Sequence, residues 1–226
     1  ARVFHHVWED DFALARNQAI REATGDWALV LDCDERLAPG VGQALREAIQ
    51  RDDFDLGMLP LYNATHVDAS AEDILSGLAQ KGAAVLLPRL LRCDPDLRWT
   101  GRIHESVADW VKAGPKRIAR VSVAILHLGY APEVVDSKNK TDRNLWLLQR
   151  RCAEDPNNSV AWSHLARVHL NLGAEDAAWD AATMGWEALV RAIEAGDFSQ
   201  EASPLVTVIV FLALKKDDDA LAVEVL

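Results

Sequence analysis

Apolar and polar positions along the chain fall into two textures. The opening Ala1-Arg2-Val3-Phe4-His5-His6 reads as a strand. Acidic Trp8-Glu9-Asp10-Asp11 suits a helix start, and Phe12, Ala15, Ala19, Ile20 and Ala23 recur at helical spacing, predicting a helix over 12–23. Thr24-Gly25-Asp26 breaks it, and 27–31 is a short unbroken apolar run of the kind shown by a parallel strand covered on both faces. Pro39-Gly40 leads into a helix carrying Val41, Leu45, Ala48 and Ile49, and 56–62 and 85–91 read as further strands. Between them 63–82 is polar and rich in small residues, expected as a loop with one helical turn. A short amphipathic piece follows Trp99 to Glu105, and 120–128 forms a last strand, closed by Ala131-Pro132. This alternation is that of an α/β layer fold.

From Lys138 onward only helical periodicity remains. Asp155-Pro156-Asn157 punctuates two helices, and Ala161-Trp162-Ser163-His164-Leu165-Ala166 with Leu172-Gly173 and Ala177-Ala178 has the small/large spacing of a tetratricopeptide hairpin. A second hairpin is expected to begin near Ser203, since one repeat cannot bury its faces alone. The expected division is an α/β domain over 1–135 and a helical region over 136–226.

Composition narrows the class. With 226 residues, half of them hydrophobic and 26% charged, the chain is an ordinary globular mixture. A net charge of −11 with no basic run excludes a broad phosphate footprint, so no nucleic-acid partner is expected. Cys33, Cys93 and Cys152 are too scattered for a disulfide framework or a thiolate zinc site. The longest apolar run, 204–214, falls short of the roughly 20 residues of a membrane span. A soluble, cytoplasmic chain is expected, at most peripheral to the inner membrane face. The strand-like opening without Met suggests a fragment whose natural beginning has been removed.

Candidate chemistry centres on Asp32-Cys33-Asp34, directly after an apolar strand, where open α/β sheets bind ligands. Two carboxylates there can share Mg²⁺ or Mn²⁺ and so neutralise a diphosphate leaving group. The alternative is that they end the strand and cap the next helix. Gly101 can bend the chain close to a ligand, and Glu105 of His104-Glu105 can act as a general base or stand as a solvated surface carboxylate. His127, ending another apolar strand, suits a metal ligand or a core histidine. Arg16 can reach a phosphate or face solvent. Trp99 packs, or contributes to a sugar site beside Gly101 and Glu105. No H-E-x-x-H, G-x-S-x-G or Walker loop occurs.

These residues fall in an ordered series: Trp8-x-Asp10-Asp11-Phe12-x-x-Ala15-Arg16-Asn17, Ala23-Thr24-Gly25-Asp26-Trp27, Leu31-Asp32-Cys33-Asp34-Glu35-Arg36-Leu37, Pro88-Arg89-Leu90, Trp99-x-Gly101-x-Ile103-His104-Glu105 and Ile125-x-His127-x-Gly129-Tyr130. The series resembles bacterial glycosyltransferase family 2, in the form that carries tetratricopeptide repeats. The resemblance implies a GT-A (Rossmann-like) domain, here partial, lacking its N-terminal nucleotide-binding half, and followed by a helical tetratricopeptide-like segment. It implies a nucleotide-diphosphate sugar as donor, first of all a UDP-sugar, a D-x-D-bound Mg²⁺ or Mn²⁺, and inversion at the anomeric carbon. Carried over, Asp34 is the direct metal ligand, with Asp32 nearer the donor's ribose or sugar and His127 the third ligand. Arg16 and Asn17 lie on the donor side, Glu105 is the catalytic base, and Trp99, Gly101 and His104 border the acceptor or sugar pocket. The expected acceptor is a glycan, lipid or protein. A reading of another class makes the chain a non-catalytic scaffold, with a degenerate transferase domain and a peptide-binding helical tail; a metal-dependent phosphoester hydrolase comes third, because it lacks clustered ligands for two metals.

Overall fold

Helix α1 (Phe12–Arg21) starts where the Asp11 carboxylate accepts the Leu14 N–H at 2.8 Å, a side-chain N-cap. The computed structural model describes residues 2–129, 137–197 and 202–216. It divides into an α/β unit, Ala1–Thr100 with Glu105–Asp136, and a helical unit, Gly101–His104 with Ser137–Leu226.

In the α/β unit six strands form one mixed sheet in the order β1-β4-β3-β6-β2, with β5 paired to β3. They are β1 (Trp27–Leu29), β2 (Glu35–Leu37), β3 (Leu56–Asn63), β4 (Val85–Arg92), β5 (Ile118–Arg120) and β6 (Ile125–His127). The long central strands β3 and β4 pair antiparallel, whereas β5 and β6 run parallel to β3. One face of the sheet buries Phe54, Leu59, Leu90, Val123 and Ile125 under α2 (Gly42–Gln50). Another cluster joins Leu56, Leu91, Leu97, Trp99 and Trp110 to Ala13 of α1. Gly57 is tied to this packing, since a Cβ there would lie 3.0 Å from Leu90 Cβ and 3.1 Å from Val121 Cγ2. The short helices α3 (Ala71–Ser76) and α4 (Ala108–Lys112) complete the unit.

Three expectations need correction. Residues 2–9 form no strand, and Val3, Phe4 and Val7 are exposed: β-propensity does not make a strand where no neighbouring strand takes up the backbone hydrogen bonds. The run 27–31 is a three-residue edge strand, antiparallel to β4 and half-buried, rather than a doubly covered parallel strand. The expected strand 120–128 is two strands, β5 and β6, both parallel to β3. The polar stretch after Asp34 contains β2, which an apolar pattern could not announce. The expected closing turn at Ala131-Pro132 and the boundary at 135/136 lie outside the described residues.

The helical unit consists of α5 (Ser137–Glu154), α6 (Ser159–Asn171), α7 (Glu175–Glu194) and α8 (Ser203–Lys215). Asn158 caps α6 by accepting the Ala161 N–H, and Gly173, at φ +73°, turns the chain into α7. The expected tetratricopeptide-like hairpin is α6–α7. Gly185 lets its helices approach each other and α8, because a Cβ there would meet Trp162 Cβ at 2.9 Å and Leu205 Cδ1 at 3.0 Å. No described helix is long and apolar enough to cross a membrane.

Within this unit the His104 and His164 rings stack with centroids 4.0 Å apart, and Arg167 Nη2 donates to His164 Nδ1 at 2.9 Å. Burial first, then the proximity of His104, Arg167 and Arg151, pushes the His164 pKa down to about 3 from 6.5. Between those values the unfolded chain binds a proton that the folded chain does not, so stability is expected to fall as pH drops from 6.5 toward 3. Chemical denaturation at pH 7 and pH 5 should show a smaller loss for His164→Gln than for the wild type; equal losses would assign the acid sensitivity elsewhere.

Candidate active site

Sheet register assembles the polar cluster of the α/β unit. Strand β6 lies between β2 and β3, so His127 pairs with Glu35 on one side and Asn63 on the other. The Asp32–Asp34 segment leads directly into β2, where Glu35 N–H donates to Asp32 O at 3.0 Å. Its opening is braced in return, since Glu35 Oε2 accepts the Asp32 N–H at 3.0 Å.

Two groupings result. In the first, Arg16 from α1 donates through Nε to Glu105 Oε1 and through Nη2 to Asp32 Oδ2 at 3.3 Å, with Oδ1 ion-paired at 3.0 Å. Arg89 from β4 donates Nη2 to Asp32 Oδ2 at 3.0 Å and to Glu35 Oε1. Three carboxylates are thus threaded on two guanidinium groups, and the Glu35 side chain is only 2% exposed. Burial would raise the Asp32 pKa, but Arg16 and Arg89 outweigh it and hold that carboxyl below its ordinary value. For Glu35 burial wins, and its pKa is raised despite the Asp32 amide and Arg89. Arg16 shows the same competition with opposite sign: burial opposes its charge, while Glu105 and Asp32 favour it and raise the pKa.

In the second grouping Asp34 Oδ2 and His127 Nε2 lie 3.4 Å apart. His127 Nδ1 is 2.7 Å from Asn63 Oδ1; an amide oxygen only accepts, so Nδ1 carries the hydrogen and Nε2 turns toward the carboxylate. Gly129 keeps this junction open, since a Cβ there would stand 2.1 Å from Asp34 Oδ2 and 2.6 Å from His127 Nε2. The described residues contain no cluster of three or more His, Cys, Asp or Glu side chains suited to a metal ion.

The other candidates are placed differently. Asn17 uses its amide on the Trp99 backbone, donating to the carbonyl at 2.9 Å and accepting the N–H at 2.8 Å. The Trp99 ring is buried in the core with the Arg16 guanidinium 5.0 Å from its centroid. Gly101 and His104 group with the helical unit. Sequence reasoning assigned no role to Glu35, Arg89, Asn63 or Gly129. For Glu35 and Arg89 the signal was present in the quoted motifs; for Asn63 only the pairing of β3 with β6 reveals the role.

Residues 1–71 match the model for Glycosyl transferase family 2. A TPR repeat-containing protein of Synechococcus elongatus is 31% identical over 181 residues, covering 76% of this chain and 41% of that protein. The SPbeta prophage-derived glycosyltransferase SunS of Bacillus subtilis is 24% identical over 155 residues, covering 68% of this chain and 34% of its own length. The same figures hold for glycosyltransferase SunS of Bacillus phage SPbeta. The chain therefore spans between one third and about two fifths of the length of these curated relatives.

Proposed function

We propose that the chain belongs to an inverting glycosyltransferase that moves a sugar from a nucleotide diphosphate, a UDP-sugar first of all, to the hydroxyl of a glycan, lipid or protein acceptor. The observation carrying this reading is the approach of Asp34 Oδ2 to His127 Nε2 at 3.4 Å over Gly129, in the same unit as the Arg16-bound Glu105. Two lone-pair donors facing each other are reconciled by a proton or a cation, and a carboxylate with an imidazole is a donor set that Mn²⁺ accepts and Mg²⁺ tolerates. Asp34 and His127 would hold the ion, with Asn63 fixing the imidazole. A divalent ion there would offset charge on the departing diphosphate.

The protein's own groups divide the remaining work. Arg16 binds Oε1 of Glu105, which leaves Oε2 to accept the proton of the acceptor hydroxyl. As that proton moves to Glu105, the acceptor oxygen bonds to the anomeric carbon from the face opposite the diphosphate. The bond from that carbon to the diphosphate oxygen breaks with its electron pair on the leaving group. Asp32, held ionised by Arg16 and Arg89, would accept from ribose or sugar hydroxyls. The chemistry would run in the α/β unit, with the tail serving acceptor or partner binding; the TPR repeat-containing relative favours that role for the tail.

The test is Mn²⁺-dependent UDP binding followed by tryptophan fluorescence. Saturable binding that weakens at least tenfold in Asp34→Ala is expected. Equal affinity in the variant, or no effect of Mn²⁺, would remove Asp34 from the donor site. A wild-type protein that binds no nucleoside diphosphate would favour the scaffold reading.

A further inference from the structure

Residues 30–34 carry the chain from β1 to β2, which stand at opposite ends of the strand order. The β1–β4 ladder closes with Val30 N–H donating to Arg89 O at 2.8 Å, and the β2–β6 ladder opens with Leu128 N–H donating to Asp34 O at 2.9 Å. Asp32 lies between the two ladders. Its backbone groups therefore need another partner.

Glu35, the first residue of β2, supplies that partner. Its N–H donates to Asp32 O at 3.0 Å and its Oε2 accepts the Asp32 N–H at 3.0 Å, so both backbone groups of Asp32 are taken by one residue. Residues 32–35 thus form a turn closed twice, with Asp34 inside the ring. Glu35 Oε1 meanwhile accepts from Arg89 Nη2, and Arg89 also donates to Asp32 Oδ2 at 3.0 Å. Because Arg89 is on β4 and Glu35 on β2, these bonds anchor the crossing segment back onto the sheet. Both side chains are buried, so water competes little for them. Opposite Glu35 in the β2–β6 register stands His127, whose Nε2 faces the Asp34 carboxylate. Any movement of the turn relative to β6 changes the Asp34–His127 separation.

We propose that Glu35 is a positioning residue for the ion site: by closing the 32–35 turn onto the Asp32 amide, it sets where the Asp34 carboxylate meets His127. It acts through the backbone and touches neither donor nor ion. The inference rests on the reading of Asp34 and His127 as ion ligands. A carboxylate suits this place because it accepts from two separate donors, Arg89 on one oxygen and the Asp32 N–H on the other. Gln has a single accepting oxygen and an NH₂ group that only donates. The charged guanidinium competes better for that oxygen, which leaves the Asp32 N–H facing another donor.

Exchange of the Asp32 amide, and Mn²⁺ affinity with and without UDP, would be measured on the whole chain for wild type, Glu35→Gln and Arg89→Met with Glu35→Gln, under conditions where circular dichroism shows each folded. In Glu35→Gln the amide should exchange at least ~10-fold faster and Mn²⁺ affinity should fall by ~10- to 100-fold, the range for a residue that orients a metal ligand. With Arg89→Met added, the Gln oxygen is free for the Asp32 N–H, so both values should return most of the way to wild type. Wild-type exchange or wild-type Mn²⁺ affinity in Glu35→Gln would overturn the proposal. So would an equal loss of affinity in the single and double variants, which would make the charge of Glu35 the determinant instead of the turn closure. A wild type that binds no Mn²⁺ even with UDP would sink the ion-site reading instead, and amide exchange in the two variants would still decide whether Glu35 closes the turn.

Discussion

Replacing Glu105 by Gln is expected to lower sugar transfer by about 10²- to 10⁴-fold while leaving Mn²⁺-dependent UDP affinity close to that of the wild type. The amide has the shape of the carboxylate and its oxygen still accepts from Arg16 Nε, so the loop and the Arg16 link to Asp32 should survive. What is lost is the capacity to take a proton from the acceptor hydroxyl. Initial rates of nucleoside diphosphate release, set beside a fluorescence titration with UDP, separate the two effects. Near-normal turnover in Glu105→Gln would exclude Glu105 as the base. Parallel loss of rate and of UDP affinity would make the Arg16–Glu105–Asp32 chain a structural support for the donor site.

The second large effect falls on stability. Arg89 is 7% exposed and carries both Glu35, at 2%, and Asp32. Truncation to Ala would leave a buried carboxylate without its cation, a change that costs about 3–5 kcal/mol. Urea denaturation should register that loss, and a decrease below ~1 kcal/mol would show that the pair contributes little in solution. Replacing both partners, as in Arg89→Met with Glu35→Gln, removes the uncompensated charge and should restore part of the stability. Asp32 separates this contribution from the site's chemistry. It keeps Arg16 in either variant, so the Mn²⁺-UDP affinity of the folded double variant should fall less than that of Asp34→Ala.

Several features were legible in order along the chain. Helical spacing at Phe12, Ala15 and Ala19, and the acidic residue preceding it, place α1, because an amphipathic helix and its cap are local properties. The apolar runs that became β3 and β4 were equally clear, as was the α6–α7 hairpin, whose close approach needs small residues such as Gly185. Strand partners were not legible. The residues 2–9 have strand-forming side chains and no ladder, and β2 has a polar sequence but is a strand because β6 lies beside it. Ladder hydrogen bonds come from the neighbour, and a single strand's composition does not name that neighbour.

The same division runs through the candidate site. By itself the sequence carried a likeness: an ordered series of motifs, Asp32, Asp34, Glu105 and His127 among them, that resembles one family, and a helical tail after them. Tertiary structure alone decided the partners. Arg16 was expected on the donor side, and folding placed it between Glu105 and Asp32; Asn63 holds the imidazole of His127; Arg89 joins Asp32 to buried Glu35. Gly101 and His104 are grouped with the helical unit, where Arg151 holds their segment. Residue type is written locally, but hydrogen bonds and ion pairs act over about 3 Å and join residues as many as 89 positions apart, so only the folded sheet register and helix packing bring them into range.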